Sequence, residues 1–346
     1  MKIHPDVFFV IQDGRLVAWN YRNHEQYELS LEHLAAMVNS GKDADESKLA
    51  DLTEARLLVT EIEERKWGWD LLSQMFHIGT SAESLAGFDV DPVEEAKRYV
   101  EYCTSIADDM PNDAFSYRRG EPIEAPKASH PRVHEVLLNL LENRKTNRSF
   151  SGESISLASV LEVLSETFRY RDHDHALYRA HGMATPTRRR SSPSAGSLQS
   201  CEAYLIARNV EGLAPGIYHY WSDADKLGKI APLPDDFSFG KMNAGQMFSD
   251  DLSAGLILTC RFDKLAWKYA HSRTYRVALL DAGHLSQTFQ LMATAVGLRT
   301  WLTGMFFDFN MRSMLGLGED SQEYPLLSLG LGTGKYAPFD KNLGSQ

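Results

Sequence analysis

Cysteine is scarce: the 346 residues hold three, Cys103, Cys201 and Cys260, far apart and without a CxxC pair. That spacing gives neither a four-cysteine zinc site nor a disulfide framework, and it suits a reducing compartment, so a cytoplasmic location is expected. No run of about 18 apolar residues occurs, and the opening MKIHPDVFFVIQDG has no signal-peptide pattern; neither membrane span nor export is expected. Positive charge is short as well. With 36 Lys and Arg against 47 Asp and Glu, the net charge is −11, the wrong sign for a face that grips phosphate backbones, and no nucleic-acid partner is expected. The densest basic cluster, Arg188-Arg189-Arg190, is too short to make a nucleic-acid stripe; it reads either as a solvated loop or as a neighbour of an anionic ligand. Metal-ligand spacing is sparse too. His130 and His134 stand i, i+4, but no carboxylate is placed as a third ligand and no HExxH occurs, so no metal is expected.

What is present is a globular composition, 43% hydrophobic and 24% charged, in a chain long enough for one large domain and a smaller one. Residues 1–80 read as the smaller. DVFFVIQ and RLVAWNY flank Asp13-Gly14, a two-residue hairpin signal, and EQYELS supplies a third strand. Two amphipathic segments follow, LEHLAAMVNS and ADLTEARLLVTEIEERKW, the second with Leu52, Ala55, Val59 and Ile62 on one face. Three short strands with helices make a winged-helix-like module. Glu54, Glu61, Glu63 and Glu64 on its second helix disfavour DNA, leaving a peptide- or protein-docking role or an architectural one. Residues 81–128 read as a helical linker, PVEEAKRYVEYCTSIADDM running into RRGEPIEAPKASHP, and residues 129–346 as the main domain.

The main domain opens with the helix HPRVHEVLLNLLENRK. RKTNRSF follows, and then a helix capped by Ser154-Ile155-Ser156 with Leu157, Val160, Leu161, Leu164 and Phe168 facing one way. A small-residue loop, Ser191 to Ser197, leads into a strand from Glu202 to Ala207; such a loop lets backbone come close to a flat or phosphorylated ligand, although an ordinary turn reads the same. PGIYHYWSDADKLGKI is a hairpin and AGLILTCRF a buried strand. From about Val277 comes one long helix with Leu285, Phe289, Met292 and Val296 in a single stripe and Gly297 placed to close it. That stripe suits an intramolecular core or a subunit interface equally. Thr300 to Phe307, a short helix through Leu315 and a last strand, YPLLSLGLGTG, complete a mixed α+β sandwich. Just before the long helix, Lys268 and Tyr269 stand side by side, two proton-carrying groups at the entrance to a buried element.

Three separated stretches together resemble one family, the flavin-dependent nitroreductase-like fold, and within it the SagB-type (McbC-like) dehydrogenases, which oxidise azoline rings in ribosomally made peptides. The resemblance covers roughly Ser129 to Gly334. RKTNRSF is similar to the family's basic–x–hydroxyl–x–basic–x–Phe pattern, which implies that Arg144, Thr146 and Arg148 hold the phosphate and ribityl chain of FMN; guanidinium forks and a hydroxyl suit a phosphate dianion. SSPSAGSLQSCEAYL resembles the PSAGA loop that lies against the isoalloxazine, which implies flavin contacts from Pro193, Ser194, Ala195, Gly196, Ser197 and Gln199. WKYAHSRTYRVALLDAGHLSQ resembles the K-Y-x-x-R-x-Y-R segment whose Lys-Tyr pair is catalytic. That implies catalytic roles for Lys268 and Tyr269, although here three residues separate Tyr269 from Arg273. His284, in the same segment, reads as a helix-packing residue or as one that supports the site from behind the contacting residues.

The hairpin from Gly212 to Leu227 is similar to that of the SagB branch. LTGMFFD resembles the place where the fold offers an amide to flavin N5, which implies Gly304 with Thr303 beside it, and the resemblance also implies Lys335 as a phosphate contact from the C-terminal end. The resemblance further implies a nitroreductase-like FMN-binding α/β sandwich, a homodimer built around the long helix, a peptide substrate, a peptide-clamp-like N-terminal domain and a cyclodehydratase partner. The implied reaction takes a hydride and a proton from an azoline ring. An exposed lysine is no base, so Lys268 requires surroundings that disfavour its charge. Two other readings stand beside this one: a general FMN nitro- or quinone reductase using NAD(P)H, and a flavin-fold scaffold without chemistry.

Overall fold

The computed structural model describes residues 1–39, 45–62, 66–81, 91–105, 135–171, 176, 180 and 188–340. The N-terminal part forms β1 (Lys2–Ile3), β2 (Val7–Gln12), β3 (Arg15–Asn20), β4 (Glu25–Leu29), α1 (Leu31–Val38), α2 (Glu46–Glu54) and β5 (Leu58–Val59). Asp13 and Gly14 are both left-handed, φ 51° and 74°, as the Asp-Gly signal requires, and they join β2 to β3 in a three-stranded antiparallel sheet with β4. Ala18, Leu29, Ala36, Met37, Leu52, Leu57 and Leu58 make its core.

The second amphipathic segment departs from the expected helix. It ends at Glu54, and Arg56 at φ 54° turns the chain so that β5 pairs with β1 at the very start of the sequence. A partner more than fifty residues away is invisible to periodicity, which is why Val59 read as a helical face. His130, His134 and the Pro-rich link lie outside the described residues.

After α3 (Leu71–Gly79) and α4 (Pro92–Ser105), the larger part runs α5 (Glu135–Asn143), β6 (Ile155–Ser156), α6 (Leu157–Phe168), β7 (Cys201–Ala207), β8 (Val210–Glu211), β9 (Gly216–Trp221) and β10 (Lys226–Pro232). It continues with α7 (Phe239–Met242), β11 (Ala254–Arg261), α8 (Phe262–Lys268), α9 (Thr274–Ala295), β12 (Arg299–Thr303), α10 (Asp308–Met314) and β13 (Glu323–Gly332). Six strands form one antiparallel sheet in the order β10-β9-β7-β11-β13-β12. Both faces are covered. In β7, Ala203, Leu205 and Ala207 point to the layer of α6 and α9, while Tyr204 and Ile206 point to Phe239, Phe248 and Trp301. A strand buried on both sides has no reason to alternate, and AYLIA is apolar throughout.

Helix α9 starts three residues earlier than its periodicity suggested and buries Leu285 and Phe289 at 2 and 0% exposure, so the stripe is intramolecular core. Each such side chain contributes roughly 1.5–3 kcal/mol. Gly297, at φ 80°, closes the helix: Leu298 N donates to Ala293 O and Gly297 N to Thr294 O, the two bonds of a Schellman cap. Cys201 and Cys260, distant in sequence, face each other in the β7–β11 register as free thiols, and burial pushes the Cys260 thiol up. Among the described residues no helix is long and apolar enough to cross a membrane.

Residues 66–81 leave the small core and pack on the large one. Trp67, Trp69 and His77 stack against Phe262, Tyr275 and Tyr324, with His77 4.5 Å from the Tyr324 ring and Trp69 5.3 Å from Phe262. Burial, aided by the Arg312 charge, pushes the His77 imidazole from 6.5 down to about 3. The folded state therefore requires neutral His77, and the unfolded chain gains a proton first as pH falls. His77 packing is at full strength above pH 6.5 and weakens toward pH 3, by about 3 kcal/mol at pH 4. Thermal unfolding from pH 7 to pH 4 should cost the wild type more stability than His77→Phe; equal losses would contradict this.

Candidate functional site

The turn before β7 carries three left-handed residues: Gly196 (φ 54°), Ser197 (φ 55°) and Gln199 (φ 49°). For Ser197 and Gln199 this conformation costs roughly 1–2 kcal/mol each, so neighbours must enforce it. They do. Ala195 N donates to both carboxylate oxygens of Asp281, at 3.0 and 3.3 Å, and Ser192 Oγ hydrogen-bonds Thr288 Oγ1 at 2.7 Å. Gln199 N donates to Ser194 Oγ at 2.9 Å and its side-chain amide to Arg188 O at 3.0 Å, leaving Gln199 Oε1 buried with no partner among the described residues. Arg190 is a brace rather than a solvated loop residue. At 3% exposure it donates to Phe168 O, Cys201 O and Ser222 Oγ, at 2.7, 2.8 and 2.7 Å, whereas Arg188 and Arg189 are exposed.

Lys268 ends α8, and Tyr269 begins the turn into α9, its amide donating to Leu265 O at 2.9 Å. Lys268 Nζ lies 3.5 Å from Gly196 O and 5.6 Å from the centre of the Tyr269 ring. A Cβ placed on Gly196 would sit 2.5 Å from Tyr269 Oη and 2.8 Å from Lys268 Nζ. The loop and the pair, 72 residues apart in sequence, are thus in direct contact. Both side chains are half-buried. Arg273 and Arg276 are exposed, and so is the His284 side chain, which is therefore no packing residue; its carbonyl accepts from Ser192 and Thr288.

A second group forms around the start of β12. Asn147, fully buried, donates its amide to Thr300 O at 2.9 Å and accepts from Ala337 N at 2.7 Å. Its neighbours Thr146 and Arg148 are half-buried. Arg148 Nη1 donates to Pro338 O at 2.7 Å and Arg144 Nη1 to Gln290 Oε1 at 3.3 Å; each guanidinium has five donors, and among the described residues each spends one on these contacts. Thr303 Oγ1, at the end of β12, accepts from Gln246 Nε2 at 3.1 Å and Met305 N at 3.0 Å. Gly304 is exposed, and a Cβ there would meet nothing within 4 Å, so internal packing does not demand a glycine. Lys335 is exposed beside Gly334, whose backbone lies against Ser149 to Ser151. Pro193 is exposed at the rim of the first group.

Helix α9 spans both groups. Asp281 holds the loop and Gln290 holds Arg144, nine residues apart and thus about 13 Å along the axis. Sequence reasoning missed both. The signal was there, because Asp281 lies four residues before Leu285 in the apolar stripe, where an ionisable group needs a reason. Burial raises the Asp281 carboxyl, with the Ala195 amide and His284 working against it. Two cavities adjoin the groups. One of about 760 Å³ is bordered by Ser197, Leu198, Glu202, Trp221 and Trp267; another of about 790 Å³ is bordered by Arg148, Gln246, Met305 and Pro338.

An antiparallel sheet between helical layers, with a strained small-residue loop on a Lys-Tyr pair and Arg144 on Gln290 toward the far end of the long helix, defines a class. The chain belongs to the nitroreductase family, whose model matches residues 141–333, and its fold is the family's α+β sandwich. A Methanocaldococcus jannaschii protein named as a nitroreductase is 29% identical over 178 residues, 51% of this chain and 87% of that one. The trifolitoxin operon protein TfxC of Rhizobium leguminosarum bv. trifolii is 23% identical over 311 residues, 84% of each chain. The microcin B17-processing protein McbC of Escherichia coli is 27% identical over 138 residues, 38% of this chain and 50% of that one.

Proposed function

We propose that the protein is an FMN-dependent dehydrogenase that oxidises azoline rings to azoles in a ribosomally made peptide. The observation that carries this is the contact of Gly196 with Lys268 and Tyr269, which sets a proton-transfer pair against the loop expected to face a flavin. Likeness to a protein named for microcin B17 processing and to one named for the trifolitoxin operon supports the peptide substrate over a free small molecule.

The residues fit FMN. Arg144, Thr146 and Arg148 would hold the phosphate, with Lys335 from the C-terminal end. The 193–199 loop would lie against the ring, with Gly196 where a side chain would intrude and Gln199 Oε1 buried with no partner among the described residues. Thr303 and Gly304 would approach from the end of β12. The stretch of about 13 Å between the Asp281 and Gln290 anchors gives room for a ring at one end and a phosphate at the other. When bound, FMN would supply the hydride acceptor.

The chain's own residues do the rest. Lys268 Nζ receives the ring proton, the Gly196 carbonyl accepts a hydrogen bond from the ammonium so formed, and Tyr269 Oη orients the ring and shares that proton. Asp281 keeps the loop in its strained form. The small N-terminal module, whose core runs from Ala18 to Leu58, docks the peptide or a cyclodehydratase. The exposed Val136, Leu137 and Leu138 of α5, with Leu279 and Leu280 of α9, form the face of a homodimer.

Anaerobic mixing tests the proposal. A cyclised peptide should bleach the flavin and air should restore it; bleaching by NADPH alone would favour a general reductase, and a protein that takes up no FMN a scaffold. Separately, Arg144→Ala should lower flavin retained through purification, roughly tenfold in affinity for one charge-assisted contact. Unchanged flavin content would remove Arg144 from the phosphate site.

A further inference from the structure

We infer that the segment Trp67–Ile78, outside the residues that define the family, is a working part of the candidate active site: the Trp69 indole positions Tyr269, and with it the proton-transfer pair. This rests on the reading above that the pair moves the proton.

Tyr269 lies in no helix or strand. It opens the five-residue turn 269–273 between α8 and α9, and its carbonyl belongs to the end of α8, where the last carbonyls have no intrahelical donor. Trp69 Nε1 supplies one, at 3.0 Å. Trp69 is 8% exposed, so little water competes for that carbonyl. The same strap ties the far end of the turn: Ser73 Oγ lies 3.2 Å from Ser272 Oγ, and His77 Nδ1 lies 3.0 Å from Tyr275 Oη. Gly68 lets the strap lie directly on α8, since a Cβ there would come within 2.2 Å of Ala266 Cβ. The strap is itself pre-shaped, with Trp67 Nε1 donating to Ser73 Oγ at 3.0 Å and Asp70 capping α3 through Leu72 N at 3.1 Å.

Tyr269 is therefore approached from two sides, its hydroxyl by Gly196 and its carbonyl by Trp69. Packing alone would need only an apolar ring at position 69. The indole N–H does something a phenyl ring cannot: it fixes the peptide that aims the side chain. A displacement near 1 Å at a reacting group costs up to about 10²-fold in rate.

The test is Trp69→Phe in the full-length, flavin-loaded protein, with the wild type alongside. The inference expects unchanged flavin content, KM within about twofold, and kcat reduced at least tenfold with a shifted pH–rate profile. Ser272→Ala, which loosens the other end of the turn without disturbing the rings, should lower kcat in the same sense by less. Amide hydrogen exchange gives a readout free of turnover: exchange across 269–275 should rise in Trp69→Phe while the core of α9 stays protected. A Trp69→Phe protein with wild-type kcat and unchanged exchange overturns the inference. So does one in which kcat, KM and flavin content all fall with thermal stability. If the wild type turns over no azoline peptide, the functional reading fails, and the exchange result alone then decides whether Trp69 fixes the turn.

Discussion

Lys268→Ala should purify with its full complement of flavin and lose turnover of a cyclised peptide by roughly 10²–10⁴-fold, the range for removing a proton-transfer group. The two halves of that expectation have separate origins. The flavin retention is expected because the proposed phosphate contacts lie away from the pair, with Arg144 on Gln290 of α9. Loss of turnover rests on Lys268 Nζ being the basic group beside the loop, with Tyr269 Oη its neighbour across the position a Gly196 side chain would fill. Tyr269→Phe should cost less, because the ring and its packing remain. Near-normal turnover in Lys268→Ala would take the lysine out of the mechanism, whatever its position.

Gly196→Ala is expected to lower turnover by a smaller but clear margin while adding only a single methyl. Two costs combine. An alanine at φ 54° carries roughly 1–2 kcal/mol of backbone strain, and its Cβ would stand 2.5 Å from Tyr269 Oη and 2.8 Å from Lys268 Nζ. Both collisions are with the far ends of side chains, so the protein can fold by pushing the pair aside, and turnover should fall about 10–100-fold. Gly212→Ala provides the control. Gly212 is also left-handed, at φ 79°, but a Cβ there meets nothing within 4 Å, so its loss should appear in stability and leave turnover intact. Equal turnover in the two variants would mean that the contact at Gly196 has no bearing on chemistry.

Local features of this chain were legible in its sequence. The Asp13-Gly14 turn, the apolar β7, the stripe of α9 and the closing Gly297 depend on neighbours within a few residues, and each has the conformation that its residues require. The site was legible only as motifs. That Gly196 meets Lys268 could be anticipated by resemblance, but what holds them could not. Asp281 reaches back 86 residues to Ala195, Gln290 reaches 146 to Arg144, Asn147 pairs with a backbone 190 residues on, and Trp69 donates across 200. Pattern within one element says nothing of such partners. The misread strand at Leu58 has the same origin, since its pairing with Ile3 is set by the fold of the module and not by the spacing of apolar residues. Buried polar groups on apolar faces, Asp281 and Gln290 above all, were the one trace that the sequence carried of these long-range bonds.

In the proposed reaction an amine and a phenol take a proton from a peptide's azoline ring beside a bound flavin. The decisive measurement is mass spectrometry of a cyclised candidate peptide after incubation with the flavin-loaded protein in air. A loss of two hydrogens per ring is expected with the wild type and none with Lys268→Ala. A peptide that keeps its mass beside a flavin that NADPH reduces and oxygen restores would contradict it.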